Sequence, residues 1–256
     1  MFENVFNRSK PGICQLVYEA HDGRRLSTGT GFLFDGKLVT CCHVAHGAAP
    51  NGKVRIKFGA FDAVESTFAV EEMSDHLVAH SPRDKKDLAV YDASFFPRAD
   101  ELSFTVPQVR PVQVFDEVAV LGYPFGDPEL TGHRARISRF WAADGVETMQ
   151  LEGSVNVGNS GGPVLTLQEG AVIGVVVRKQ PGLSSAFERM RTNINEEIKD
   201  LASRKLRGSP KALRDSLVRT QNAMMVLSDE VMRSSNTGIG YAVSVAEVIR
   251  LMNGEK

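Results

Sequence analysis

The sequence predicts a mainly β fold, a sandwich or a pair of barrels, with a helical insertion late in the chain and a short helix at its end. Three observations predict it. Ten short apolar segments recur between Ile13 and Val177, turn residues separate most of them, and a helical period replaces the pattern afterwards. Composition agrees: 256 residues with 42% hydrophobic and 24% charged can bury a core, and 23 Gly with 11 Pro suit strands joined by turns.

The first five segments are 13–18, 31–34, 37–41, 54–58 and 88–91, with Asp35-Gly36 and Asn51-Gly52 as turns that tolerate positive φ. A Pro-bearing stretch, 97–111, reads as the linker to a second set of five at 118–122, 137–142, 149–151, 163–167 and 171–177, with Glu169-Gly170 as a further turn. Next, Phe187, Met190, Ile194, Ile198 and Leu201 form one helical stripe. Gly208-Ser209-Pro210 breaks it, with Ser209 as a cap and Pro210 in a first turn, and Leu213, Leu217, Met224, Leu227 and Val231 form a second stripe. This is a helical hairpin. Strand character returns at 238–243, and 245–252 closes as an amphipathic helix.

Charge and cysteine usage exclude several classes. Thirty Lys+Arg against 31 Asp+Glu give a net charge of −1, which argues against a general nucleic-acid surface. Arg134, Arg136 and Arg139 cluster near Trp141, but so short a basic run reads as a solvated face. Three cysteines, two of them adjacent, do not make a disulfide framework and point to a reducing compartment. The start, Met1 to Arg8, lacks the basic and apolar regions of a signal peptide, and no run approaches the ~18 apolar residues of a membrane span. The expectation is a cytoplasmic protein that binds neither nucleic acid nor membrane.

Three local patterns carry chemistry. Gly158-Asn159-Ser160-Gly161-Gly162-Pro163 puts a serine in a tight turn between two strands, where its hydroxyl is unshielded and backbone N–H groups can converge without Cβ obstruction. Leu38-Val39-Thr40-Cys41-Cys42-His43-Val44 puts a histidine at the end of an apolar strand. Asp87-Leu88-Ala89-Val90 puts an acid at the start of another, with Asp84 and Asp92 as competitors. Each alone has an ordinary structural reading. Together they supply nucleophile, base and orienting acid. The chain order His43, Asp87, Ser160 on a β chain is that of chymotrypsin rather than of α/β-hydrolases.

Metal-binding patterns are weaker. Cys41, Cys42, His43 and His46 offer zinc-ligand types, but no second Cys/His cluster completes a finger spacing. His76 and His80 lack the Glu of a zinc-protease motif and read as a solvated segment, and Gly29-Thr30-Gly31 is followed by strand, unlike a dinucleotide loop.

The chain resembles the trypsin-like (chymotrypsin-fold) serine peptidases, and in pattern the bacterial Deg/HtrA group. The matching pieces are Gly29-Thr30-Gly31-Phe32, Val39-Thr40 before His43-Val44, Asp87-Leu88-Ala89-Val90, Leu121-Gly122-Tyr123-Pro124-Phe125-Gly126, the turn around Ser160, and Gly238-Ile239-Gly240-Tyr241-Ala242-Val243. The resemblance implies two perpendicular six-stranded antiparallel barrels, a first over 11–97 and a second over 112–178 with 238–245. The hairpin insertion would occupy 183–235 and the terminal helix 246–256, all in one peptidase domain. It implies a serine endopeptidase working through an acyl-enzyme, with His43, Asp87 and Ser160 as the triad and the Gly158 and Ser160 amides as the oxyanion hole, and with no metal or organic cofactor. It further implies that the strand edge at 175–179, with Val177, Arg178 and Lys179, pairs with an extended polypeptide substrate. Ser154, Val177 and Ile239 would line the pocket for the residue before the scissile bond; none is acidic, so a small or medium apolar residue is expected, unless Glu152 turns inward.

Three departures bear on these expectations. Asn159 stands where digestive trypsins carry an Asp for a freed N-terminal amine, so activation by trimming is not expected. Only 11 residues follow Val245, so no PDZ domain is expected. The hairpin replaces a short specificity loop, and it reads either as a passive stabilising decoration or as a sensor for a protein partner. It would bury one stripe between its helices and another against the barrel, and would offer Glu188, Arg191, Lys199 and Arg214 as exposed contacts. The rival reading is a catalytically silent trypsin-fold binding or scaffold module.

Overall fold

The computed structural model describes residues 1–46, 51–59, 65–106, 112–179, 192–200, 209–234 and 238–255. The chain forms two compact units, Met1–Lys179 with Gly238–Lys256, and Gln180–Thr237.

The larger unit begins with α1 (Phe2–Ser9) and a 3-10 turn at Lys10–Gly12. The first sheet follows: β1 (Ile13–Glu19), β2 (Arg25–Phe34), β3 (Lys37–Thr40), the short α2 (Cys42–Ala45), β4 (Lys53–Phe58), β5 (Glu65–Ala69), α3 (Val70–Asp75), β6 (Leu77–Ser81) and β7 (Leu88–Asp92). Its strands pair antiparallel in the order β5-β4-β1-β2-β3-β7-β6. Leu16, Leu33, Leu38 and Ile56 are buried on one of its faces, and Phe32, Phe34 and Val90 on the other.

This sheet departs from the expected six-stranded barrel. Among the described residues it has seven strands, and its edges β5 and β6, connected through α3, do not pair with each other. β5 and β6 are themselves additions to the predicted strands. Both alternate exposed and half-buried along their length, as edge strands covered on one side do. α1 is another addition. Its Val5 is buried, and Phe2 and Phe6 lie over Gly132, where an added Cβ would come within 2.8 Å of the Phe6 ring.

The stretch read as a linker carries α4 (Ala99–Leu102) and Phe104. Phe104 is tied to the first sheet: its N–H donates to Leu33 C=O at 2.9 Å and its carbonyl accepts from Asp35 N–H at 2.8 Å. Beyond it, β8 (Glu117–Gly122), a 3-10 turn at Pro124–Gly126, β9 (Thr131–Ala143), β10 (Val146–Gly153), β11 (Pro163–Thr166), β12 (Val172–Lys179) and β13 (Ile239–Ser244) build a closed barrel ordered β10-β13-β12-β11-β8-β9. Val120, Ile137, Met149, Leu151, Val164 and Val176 pack its interior.

The smaller unit contains α5 (192–200) and α6 (Ser209–Ser234). Ile194 is buried, and Gln221 Nε2 on α6 donates to Glu197 Oε2 on α5 at 2.5 Å. The expected burial of the second stripe is not what the helix does: Leu213, Leu217, Met224 and Leu227 are 65%, 44%, 52% and 64% exposed. Of the expected contact charges, Lys199 is exposed, but Arg214 is mostly buried and pairs with Asp215 at 2.8 Å. Phe187, Glu188, Met190, Arg191 and Leu201 lie outside the described residues.

α7 (Val245–Met252) closes the larger unit, capped by Ser244 Oγ, which accepts from Ala246 N–H at 3.3 Å. Its Glu247 is 1% exposed and meets Lys86 Nζ at 3.1 Å, Arg250 Nη1 at 2.5 Å and Glu147 N–H at 3.1 Å. A buried carboxylate with so many donors is costly to orphan.

Candidate active site

β3 and β7 lie side by side, with Thr40 opposite Ala89, so the end of one strand and the start of the other meet at the same sheet margin. Past β3 the chain turns into α2, which carries His43. Before β7 it passes through Asp87 at φ +53, a left-handed conformation that Asp tolerates better than most residues. That turn is pinned at both ends: Asp87 N–H donates to Pro82 C=O at 3.0 Å and Asp87 C=O accepts from Cys42 N–H at 3.2 Å.

The two side chains then meet twice. His43 backbone N–H donates to Asp87 Oδ1 at 2.9 Å, and His43 Nδ1 lies 2.6 Å from Oδ2. Two bonds to two different oxygens fix the carboxylate plane. A proton on Nδ1 facing the carboxylate leaves Nε2 as the acceptor. Asp87 is nearly closed from water and His43 partly open, with side chains 9% and 27% exposed. Neither competitor takes the acid's place. Asp92 binds Lys37 Nζ at 2.8 Å, and that bond holds its carboxyl below the usual range; Asp84 lines the cleft described below.

The serine turn joins β10 to β11 and needs its glycines. Gly158 sits at φ +98, where a Cβ would fall 2.2 Å from Tyr123 C=O, and Gly161 at φ +85, where one would fall 2.0 Å from Thr30 C=O. Thr30 is the fastening point. Its N–H donates to Ser160 C=O at 2.8 Å, and its hydroxyl donates to Gly158 C=O at 2.7 Å while accepting from Tyr123 N–H at 3.0 Å. Thr40 Oγ1 in turn donates to Thr30 C=O at 2.8 Å.

Two further bonds orient the amides of Gly158 and Ser160. Val157 C=O accepts from Phe125 N–H at 2.6 Å, and Asn159 C=O accepts from Gly162 N–H at 2.9 Å. In a trans peptide the N–H points opposite to the carbonyl. The Gly158 N–H therefore points away from Phe125, and the Ser160 N–H away from Gly162. Among the described residues neither amide donates to a protein acceptor. Ser160 itself is half-buried, and no hydrogen bond joins it to His43 among the described residues. Such a contact is often long before substrate arrives.

The remaining predicted residues fall on two sides of the closed barrel. Val177 is buried on β12, and the register of Arg178 with Tyr241 and of Lys179 with Gly240 ties that strand to β13. Its other side pairs with β11 only as far as Val175, opposite Pro163, so from Val177 onward that edge has no partner strand among the described residues. Ile239 is half-buried on β13 opposite Glu152, which is exposed, as is Ser154. Val155, which the sequence did not single out, is buried against Gly240, where a Cβ would approach it to 2.5 Å. A cleft of ≈ 1010 Å³ is lined by Lys86, Asp87, Trp141, Val177, Val243 and Glu247, among others.

Sequence reasoning did not single out three more residues that lie around these groups. Thr30 and Phe125 act through backbone-scale contacts across the fold, and only their place in the Gly-Thr-Gly and Tyr-Pro-Phe-Gly pieces signals them. Asn159 is completely buried, and neither atom of its amide has a hydrogen-bond partner among the described residues. The four metal-ligand candidates are also parted: Cys41 Sγ turns inward to Val176 C=O at 3.2 Å, whereas Cys42 Sγ lies 3.2 Å from His46 Nδ1.

Residues 29–175 match the family model of the trypsin-like peptidase domain, more than half of the chain, and the chain belongs to that family. Among curated proteins it is similar to a probable periplasmic serine endoprotease, DegP-like, of Halomonas elongata, with 32% identity over 163 residues, 61% of this chain and 30% of that one. It is also similar to the magnetosome formation protease MamE of Paramagnetospirillum magneticum, with 30% identity over 155 residues, 57% of this chain and 19% of that one. The chain thus spans less than a third of either relative. Among solved structures, the HtrA-type protease AlgW with a tripeptide matches at TM-score 0.63 and 18% identity, covering 99% of this chain and 63% of that one. The serine endoprotease from Yersinia pestis matches at TM-score 0.60 and 17% identity, covering 99% and 66%. These likenesses show the fold: mainly β and chymotrypsin-like, with one closed six-stranded barrel and a second curled sheet.

Proposed function

We propose that the chain is a serine endopeptidase that cleaves polypeptides through an acyl-enzyme. Ser160 Oγ attacks the peptide carbonyl while His43 Nε2 takes its proton, and the Gly158 and Ser160 amides meet the oxyanion that develops. Asp87 holds the imidazole tautomer. His43 then gives its proton to the leaving amine, and water, activated the same way, releases the acyl group. The curled first sheet serves as the first of two barrels, and the open edge of β12 past Val177 takes the substrate as an added strand.

The observation that carries this reading is the double contact of His43 with the two oxygens of Asp87, at 2.9 and 2.6 Å. A structural histidine needs one partner; holding backbone and ring on one carboxylate orients the ring and leaves its far nitrogen for work. The test is fluorophosphonate labelling with mass mapping of the adduct. Attachment at Ser160, lost in Ser160→Ala together with cleavage of a casein substrate, is the expected result. A wild type that takes no label at Ser160 and shows not even slow cleavage would favour the silent scaffold.

We also infer control by a protein partner on the 183–235 hairpin, supported by the exposed apolar residues Leu213, Leu217, Met224 and Leu227 of α6. Low basal turnover is expected of the isolated chain, and full basal turnover would remove that reading. The three free, buried thiols Cys14, Cys41 and Cys42 support a reducing, cytoplasmic setting.

A further inference from the structure

Beside the serine-peptidase site, and independent of it, lies a second cluster of reactive side chains. Cys42 opens α2 and His46 follows its last residue, four positions on, with His46 N–H donating to Cys42 C=O at 2.8 Å. This one-turn spacing puts both side chains on one face. His46 Nδ1 lies 3.2 Å from Cys42 Sγ. The third member comes from another element: His80 on β6 brings its ring to 5.6 Å from that of His46, centroid to centroid. One ligand atom from each of Cys42, His46 and His80 lies within 4.8 Å of the other two.

We propose that Cys42, His46 and His80 form a zinc-binding site with one coordination position left to water. Zn–S near 2.3 Å and Zn–N near 2.0–2.1 Å in a tetrahedron place ligand atoms about 3.3–3.6 Å apart. The Cys42–His46 pair already has that order of separation. Drawing in His80 requires the exposed imidazoles to turn, and His46 Nδ1 to give up Cys42 C=O, which lies 3.0 Å from it. One thiolate and two imidazoles suit a borderline-soft ion and are poor ligands for Mg²⁺ or Ca²⁺, which prefer oxygen. Cys42 is buried while both histidines are exposed, so the ion has a route in and a supported sulfur at its base. Cys41 plays no part, since its sulfur is committed to Val176 C=O.

The site joins two segments the chain keeps separate. α2 carries His43 next to Cys42, and β6 is paired with β7, His80 opposite Ala89, just past Asp87. Zinc would clip the base-bearing helix to the hairpin whose second strand follows the acid.

Titration of the full chain with Zn²⁺ against a chromophoric chelator tests the proposal, alongside Co²⁺ spectra of the same samples. Wild type is expected to take up a single ion and to show a thiolate-to-cobalt charge-transfer band. Cys42→Ser should lose that band, and Cys42→Ser, His46→Gln and His80→Gln should each weaken binding at least about tenfold. His76→Gln, whose ring instead packs on Phe95 at 4.2 Å, should bind as wild type. The two exposed histidines can be replaced without touching the core, so they decide the matter if Cys42→Ser folds poorly. Absence of stoichiometric uptake, or uptake that His46→Gln and His80→Gln leave unchanged, would overturn the site.

Discussion

Phe125 N–H holds the carbonyl of Val157 at 2.6 Å, and through that one bond the turn after β8 sets the direction of the Gly158 amide. A peptide whose carbonyl is held cannot rotate without breaking the bond. Phe125 adopts φ +58 to make it, a conformation costly for a bulky residue, and backbone strain of this kind gathers at working sites. The other amide, that of Ser160, is set in the same manner by the bond from Gly162 N–H to Asn159 C=O.

Replacing the reacting groups should remove turnover while leaving the fold. Ser160→Ala, His43→Ala and Asp87→Asn are each expected to lower kcat/KM by several orders of magnitude. Double and triple variants should add little, because the three act as a unit. Steady-state cleavage of a fluorogenic peptide, with circular dichroism as the folding control, measures this. Ordinary cleavage by Ser160→Ala would end the assignment.

Thr30→Val keeps the shape of the side chain and deletes its hydroxyl. Gly158 C=O and Tyr123 N–H then lose a buried partner, at a cost of about 1–3 kcal/mol each. Denaturant melts should show the lost stability. Kinetics should show a fall in kcat larger than any change in KM, because the hydroxyl steadies the serine turn and meets no substrate. A variant destabilised but kinetically intact would separate Thr30 from the chemistry.

Cleavage should follow small or medium apolar residues. Ser154 and Ile239 carry no charge, Val177 and Val155 are buried, and Glu152 is exposed. A peptide library read by mass spectrometry checks it. A profile dominated by Arg or Lys would place the pocket elsewhere.

His133 gives the stability a pH dependence. Burial lowers its pKa from the ordinary 6.5, and its Nε2 has no hydrogen-bond partner among the described residues. The unfolded chain therefore binds the proton more readily than the folded one. This contribution to stability is present above 6.5, is lost as pH falls from there through the folded value, and levels off below it. Urea melts of wild type and His133→Leu across that window should diverge on the acid side only. Parallel curves would show that His133 does not titrate differently on folding.

The legible parts of the sequence were those with local causes. Strands buried on both faces, such as β7 and β11, announce themselves as apolar runs. β5 and β6 did not, since an edge strand half covered by its neighbours carries Ser, Thr and His as readily as Val. α1 has Phe2, Val5 and Phe6 at helical spacing, but eight residues are too few for periodicity to stand out. The meeting of His43 with Asp87 could be expected because each sits in a short patterned stretch. Thr30 could not, because its hydroxyl works on residues more than ninety positions away. α6 misled for a related reason: a stripe of Leu and Met states what a helix could bury, and whether anything covers it is decided by other segments.

Glu247 reaches from α7 to Lys86, the residue before Asp87. The last helix is thereby a buttress for the hinge on which the acid stands, although it contributes no atom to the chemistry. Trimming the chain back to Ser244 would remove that tie together with the buried Val245 and Val248, and so loosen the segment before Asp87 along with the core beside it. A loss of turnover in such a truncation would therefore reflect a lost support rather than a lost reacting group.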